Sequence, residues 1–337
     1  MDKKTITVLD ATLRDSSYAI HFQFSARDTR NLCQGLEKSG VSMIEVGHGL
    51  GLGASSAKYG VAMETDEEYL SAAASSLSCA KFGAFFIPGI GTRESLAMAV
   101  GLGMNFIRVG YEVGEIDVAR PYVDYAKELG LEVSLNPMKS YAVTASEFGQ
   151  IAARVDDWQS VDTICVVDSA GCMLPNEVAE YVRSAREGCD LTIGFHGHNN
   201  LGMANANCLA AIAEGATFVD GTLRGMGRSA GNAQTEILAY ALQKAGYETG
   251  IDPISLFNVI SSYVEPLMLQ QQGIPSLEVL YGMTQFHSSF LPKFRRVLAK
   301  FDVDIKRLIM AVSKIDCVNP SEELIETVAR DLSRTSE

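Results

Sequence analysis

The sequence lacks an uninterrupted apolar run of the roughly 18 residues that a membrane-spanning helix needs, so no span is expected. Its first residues, Met-Asp-Lys-Lys-Thr-Ile-Thr-Val-Leu-Asp, hold no apolar stretch of secretory-signal length. Basic residues are outnumbered: 28 Lys and Arg stand against 41 Asp and Glu, a formal charge of −13. That balance argues against non-specific binding to nucleic acid or anionic membranes. The seven cysteines are odd in number and include no C-x-x-C pair, so no disulfide framework is indicated. These absences point to a cytoplasmic protein. What remains is ordinary for a globular chain, with 47% apolar and 20% charged residues among 337.

Two kinds of segment alternate over the first three quarters of the chain. Short apolar, β-branched runs end in polar residues: Thr5–Thr12, Ser42–His48, Lys81–Pro88, Phe106–Glu112, Glu132–Pro137, Thr163–Ser169, Leu191–His198 and Phe218–Arg224. Between them lie amphipathic, helix-like stretches such as Ala26–Lys38, Val118–Leu129 and Asn176–Glu187. Near-continuous apolar strands separated by helices require parallel pairing buried on both faces. Eight such units in about 245 residues predict a TIM (β/α)8 barrel, since a doubly wound sheet usually stops short of eight strands. From Asp252 the pattern turns purely helical, with Ile254–Met268, Phe286–Phe301, Asp304–Ser313 and Ser321–Leu332, the last capped by Ser321. The division expected is a barrel over residues 1–248 and a helical C-terminal domain over residues 249–337.

Active sites of this fold are built at the C-terminal ends of the strands. Three of only five histidines, His48, His196 and His198, stand at such ends, and His21 lies in the loop after the first strand. His196 and His198 are two residues apart, so their side chains share one side of a strand. With Asp15 from the end of the first strand they form a two-histidine, one-carboxylate set suited to a divalent cation. Open, oxygen-rich coordination suits Mn²⁺ or Mg²⁺, and imidazole ligands also suit Zn²⁺ or Fe²⁺; Mn²⁺ is the cation expected, with Mg²⁺, Co²⁺ or Zn²⁺ as alternatives. Asn232, closing a Gly-rich loop, is a further candidate ligand. That loop lacks the Lys-Ser/Thr ending of a nucleotide-binding P-loop. Arg14 beside Asp15 is a fixed guanidinium able to stabilise a developing oxyanion. Phe85 and Ile87, before Pro88, are expected to face the barrel mouth. Lys139, after the fifth strand, is a candidate Schiff-base lysine for metal-free carbonyl chemistry, with a surface lysine as the plainer reading.

Taken together, Asp10-Ala-Thr-Leu-Arg-Asp15, His196-Gly-His198 and Gly225-x-Gly-x-x-Ala-Gly-Asn232 resemble the HMG-CoA lyase-like barrel superfamily. Ile44-Glu-Val-Gly-His-Gly49, Pro88-Gly-Ile-Gly-Thr92, Asp168-Ser-Ala-Gly171 and Ser288-Ser-Phe-Leu291 are similar to its class II 4-hydroxy-2-oxovalerate aldolase branch. The resemblance implies retro-aldol cleavage of a 4-hydroxy-2-oxo acid to pyruvate and an aldehyde. It implies a cation on Asp15, His196 and His198, and an enolate steadied by Arg14. Ser169 and His48 join Arg14, Phe85 and Ile87 as substrate-binding candidates. It also implies an oligomer paired with an acylating aldehyde dehydrogenase.

Two positions depart from that pattern. The aldolases continue Arg-Asp with Gly-Ser-His, the histidine being the base, whereas here Tyr18 stands in its place. They carry Tyr before Ser-Ser-Phe, and here that residue is His287. The reciprocal change suggests that His287 is the base and Tyr18 its partner, because imidazole titrates near roughly 6.5 and phenol near roughly 10. His21 is the rival base. Two other readings stay open: a Claisen-type acyl transferase that uses acetyl-CoA, and a partner-binding homologue without catalysis.

Overall fold

The computed structural model describes residues 4–334. Eight parallel strands close into a barrel in sequence order: β1 (Thr7–Asp10), β2 (Met43–Glu45), β3 (Lys81–Phe86), β4 (Phe106–Glu112), β5 (Glu132–Met138), β6 (Thr163–Asp168), β7 (Thr192–Gly197) and β8 (Phe218–Gly221). Closure is made by β1 and β8, which pair from Thr7 with Phe218 to Asp10 with Gly221. The predicted architecture is therefore present. Its first, second and eighth strands are shorter than expected because their polar ends leave the sheet. Thr12–Asp15 winds into a helical turn, Gly47 takes the left-handed φ of +113° just after β2, and Leu223–Gly225 forms a 3₁₀ turn.

Helices on the barrel's flank begin where hydroxyl side chains satisfy the free N–H groups of a first turn. Ser25, Thr65, Thr92 and Thr144 each accept from the backbone N–H three residues on, in reciprocal capping boxes. Outward-facing strand residues such as Val8, Ile44 and Val109 are all buried.

Inside the barrel the two-residue period of a strand separates two layers. Leu9, Met43, Phe106, Cys165, Val167 and Phe218 belong to one buried apolar cluster. Two residues further along their strands from Met43, Phe106 and Phe218 stand Glu45, Arg108 and Asp220, also buried. An ionic layer thus lies between the apolar floor and the mouth. Glycine makes room for bulk near the mouth: a Cβ on Gly110 would sit 2.3 Å from the Phe85 ring, and one on Gly49 2.5 Å from the Tyr18 ring.

The chain divides into two compact units, one ending at Gly273 and one starting at Ile274. The helical run at Pro253–Leu267, which the sequence groups with the tail, packs on helices Ala26–Lys38 and Thr235–Lys244. It changes from α to π at Ile260 and to 3₁₀ at Glu265, where Pro266 cannot supply the N–H an α-helix requires. The second unit holds helices Ser276–Thr284, Leu291–Leu298, Ile305–Ser313 and Glu322–Arg334 around Phe286, Phe294, Leu308, Ile309 and Ile325. The first of these is absent from the sequence expectation. Ser321 does cap the last, accepting from the Leu324 N–H at 3.1 Å. Among the described residues no helix is long and apolar enough to cross a membrane.

Candidate active site

Asp15 ends the helical turn after β1, and His196 lies on β7 with His198 immediately beyond it. One ligand-capable atom of each lies within 4.8 Å of the others. The two imidazole rings stand nearly perpendicular, with centroids 5.3 Å apart. Each ring's proton is fixed by what its Nδ1 meets. His196 Nδ1 donates to Asp220 Oδ2 at 2.8 Å, and His198 Nδ1 donates to the Gly231 carbonyl at 3.2 Å. Both Nε2 lone pairs are left free, which is the tautomer a metal ligand needs. Burial holds the His198 pKa below the usual imidazole range despite the opposing pull of Asp15.

Asp15 Oδ2 is sealed from solvent and has no hydrogen-bond partner, and the same holds for Asn232 Oδ1. Leaving such an oxygen unpaired costs about 1–3 kcal/mol or more for a charged group. Burial pushes the Asp15 carboxyl up, but Arg14, His198 and His196 together outweigh it and hold it well below the usual range. It is therefore ionised. Three carboxylates, Asp15, Glu45 and Asp220, face two guanidiniums, Arg14 and Arg108, leaving one negative charge in excess. Two imidazole lone pairs, an orphaned carboxylate oxygen and a negative surplus fit a divalent cation.

The ionic layer orients this set. Arg14 Nε donates to Glu45 Oε2 at 2.7 Å, and its Nη1 lies 3.1 Å from Asp15 Oδ1. Arg108 Nη1 donates to the same Glu45 oxygen at 3.1 Å, and its Nη2 pairs with Asp220. A chain of charges therefore runs Arg14–Glu45–Arg108–Asp220–His196, from the guanidinium at the mouth to a histidine ligand. Glu45, Arg108 and Asp220 were not among the sequence candidates. Their signal was a charge set within an apolar strand run.

A cavity of about 330 Å³ opens above the triad. Arg14, Asp15, Tyr18, Phe85, Ile87, Ser169, His196 and His198 line it, so the structure brings these candidates together. The Arg14 guanidinium lies over the Phe85 ring, 4.8 Å from its centroid. Tyr18 is stacked from outside by Arg228 at 5.3 Å. Burial, then the nearby Asp15 charge, pushes its phenol up to about 12, so it keeps its proton at neutral pH.

Other candidates stand elsewhere. His48 is buried, and both ring nitrogens are engaged by the loop after β2: Nδ1 accepts from Leu50 N–H at 3.1 Å, and Nε2 lies 3.2 Å from the Gly60 carbonyl. Phe22 stacks on it at 4.1 Å. It does not line the cavity. His21 is exposed, in left-handed backbone at φ 53°, and lines a neighbouring cavity with Tyr18 and Arg228. His287, in the second unit, is exposed and caps the Ser288–Phe290 turn, with Nδ1 2.7 Å from Ser289 Oγ. Lys139 Nζ pairs with Glu112 Oε1 at 2.8 Å, a hydrogen bond that raises its pKa. A Schiff-base amine needs the opposite shift.

The sequence model of the HMGL-like family matches residues 5–262. The chain is 39% identical over 330 residues to a protein of Rhodococcus jostii (strain RHA1) named 4-hydroxy-2-oxovalerate aldolase 2, spanning 98% of this chain and 96% of that one. It is 40% identical over 329 residues to the 4-hydroxy-2-oxovalerate aldolase of Pelotomaculum thermopropionicum, again over 98% and 96%. In structure it matches the HMG-CoA lyase of Brucella melitensis with a TM-score of 0.65, covering 79% of this chain and 100% of that one; at 16% identity this speaks for the fold alone. The chain belongs to the HMGL-like family, among the relatives named 4-hydroxy-2-oxovalerate aldolase.

Proposed function

We propose that this protein is a metal-dependent pyruvate aldolase, cleaving a 4-hydroxy-2-oxo acid into pyruvate and an aldehyde. The observation that carries it is the convergence of Asp15, His196 and His198 beside Arg14, with both imidazole tautomers set for a cation. A divalent cation held there, Mn²⁺ in our reading with Asn232 as an additional ligand, supplies a Lewis acid that makes the 2-oxo group an electron sink. As the C3–C4 bond breaks, negative charge grows on the 2-oxo oxygen. Arg14, positioned through Nε and Nη1, meets that charge with its remaining amino group. Ser169 and Ile87 bound the space around the substrate, while Phe85 fixes the guanidinium plane.

Cleavage also requires a group that takes the 4-hydroxyl proton. Tyr18 is held protonated, so it serves as a hydrogen-bond donor and not as the base. We assign the base to His287 on its reciprocal exchange with Tyr18; its Nδ1 accepts from the Ser289 N–H at 3.3 Å. General-base removal costs about 10²–10⁴-fold, so His287→Ala is expected to lose at least about 10²-fold in kcat. Loss of that size in His21→Ala, with His287→Ala near wild type, would move the role to His21. The reading extends to an oligomer whose aldehyde product passes to an acylating aldehyde dehydrogenase. Release of pyruvate from 4-hydroxy-2-oxovalerate, followed with lactate dehydrogenase, tests the reaction class. Consumption of acetyl-CoA with a 2-oxo acid, without pyruvate release, would establish a Claisen condensation instead.

A further inference from the structure

Strand order places β4 and β5 across the closed barrel from β8 and β1. The far end of the cavity therefore faces the cation ligands, and polar side chains stand there beside Met138. Glu112 ends β4 and Lys139 follows the last residue of β5; both line the cavity and pair at 2.8 Å. Their side chains remain 45% and 50% exposed, so carboxylate acceptors and ammonium donors stay open to a ligand. Asn136, buried on β5, also lines the cavity, and its Oδ1 accepts the Ser134 hydroxyl at 3.0 Å. Its amide protons are left for whatever fills the space.

Lys139 is also held in an unusual backbone state. It adopts left-handed φ 58° and ψ 47°, and its N–H donates to Ser169 Oγ at 3.0 Å, at the end of β6. A non-glycine residue kept in that region stores strain, and such strain clusters at functional sites. Phe85, the large apolar residue nearby, has one ring face covered by the Arg14 guanidinium.

We propose that the aldehyde partner of this enzyme is hydroxylated, a short sugar-like aldehyde whose hydroxyls are received by Glu112, Asn136 and Lys139. The inference rests on the pyruvate-aldolase reading: pyruvate occupies the cation end, so the aldehyde portion extends toward β4 and β5. In the addition direction the pyruvate methyl gives up one proton and its carbon bonds to the aldehyde carbon. The aldehyde oxygen takes up a proton to become the 4-hydroxyl; cleavage reverses each change, and nothing is oxidised or reduced.

The test is aldol addition by the Mn²⁺-loaded full chain with length-matched pairs, glycolaldehyde against acetaldehyde and glyceraldehyde against propanal, each rate referred to the free aldehyde. One or two net hydrogen bonds give a preference of about 10-fold or more in kcat/KM for the hydroxylated member. Glu112→Leu and Lys139→Met are expected to collapse that ratio toward unity through KM for the hydroxylated aldehyde, with Glu112→Gln keeping part of it. Lys139 is exposed, so its variant guards against misfolding in the other. Mn²⁺-dependent exchange of pyruvate methyl protons with deuterated water, followed by NMR, needs no aldehyde. Exchange combined with a preference for the apolar aldehydes, or with a preference that survives both substitutions, overturns the inference and leaves the aldolase reading intact. Absence of exchange removes both.

Discussion

Replacing Arg14 by methionine is expected to lower kcat by about 10²–10³-fold while the protein stays folded and still binds its cation. The magnitude is that of removing one preorganised donor from a developing oxyanion. Arg14 is unusually constrained for a residue at a barrel mouth. Glu45 fixes its Nε, Asp15 its Nη1, and Phe85 the face of its guanidinium. Lysine cannot reproduce two directed contacts and a stacked plane, so Arg14→Lys should recover little of the loss. Asp15 loses a cationic neighbour in Arg14→Met, so Mn²⁺ affinity there should hold or rise. The check is a parallel measurement of kcat and Mn²⁺ dissociation constant. Activity within about 3-fold of wild type, against the expected factor, would show that the guanidinium is only an ion-pair closure of the mouth.

Arg108→Met is expected to destabilise the fold by about 3–5 kcal/mol, the cost of breaking a buried ion pair from one side. Arg108 is fully buried in the barrel and bridges Glu45 and Asp220. Removing it takes a guanidinium from two buried carboxylates, leaving Glu45 with Arg14 alone and Asp220 with the His196 Nδ1–H. Burial alone would lower its pKa, but Asp220 and then Glu45 outweigh that and raise it, so the charge is permanent. Because Asp220 receives the His196 Nδ1–H, the loss should also reach the cation site, lowering Mn²⁺ affinity by about 10–100-fold as other ligand-orienting contacts do. Adding Glu45→Gln to Arg108→Met removes one of the two carboxylates that lost a guanidinium and should restore part of the stability, a coupling that urea unfolding of the two singles and the double resolves. Equal stability of Arg108→Met and wild type would mean that the ionic layer does not organise the barrel mouth.

The features legible in the sequence are those set by local periodicity. Continuous β-branched runs separated by amphipathic stretches specify eight parallel strands. A spacing of two on β7 suffices to put His196 and His198 side by side. Asp15 could be placed because strand ends of a barrel share one face. Pairings across the barrel were hidden, since Arg108 meets partners 63 residues before it and 112 after it. A charge inside an apolar run marks a buried pair without naming its partner. His48 shows the limit of strand-end position: Gly47, at φ +113°, turns the chain so that the imidazole serves the loop. His21 likewise follows the Ser16–Ile20 turn into a left-handed residue and reaches the neighbouring cavity. The Ser276–Thr284 helix lacks a side-chain cap at its start, the cue by which Ser321 was found for the last helix.

A Mn²⁺ titration of metal-stripped protein, with pyruvate release measured at each point, tests the cation site most directly. The predicted result is one tightly bound Mn²⁺ per chain, pyruvate release rising in proportion to occupancy, and loss of both in Asp15→Ala and His198→Ala. Full pyruvate release from the stripped protein, or wild-type occupancy in Asp15→Ala, would contradict it.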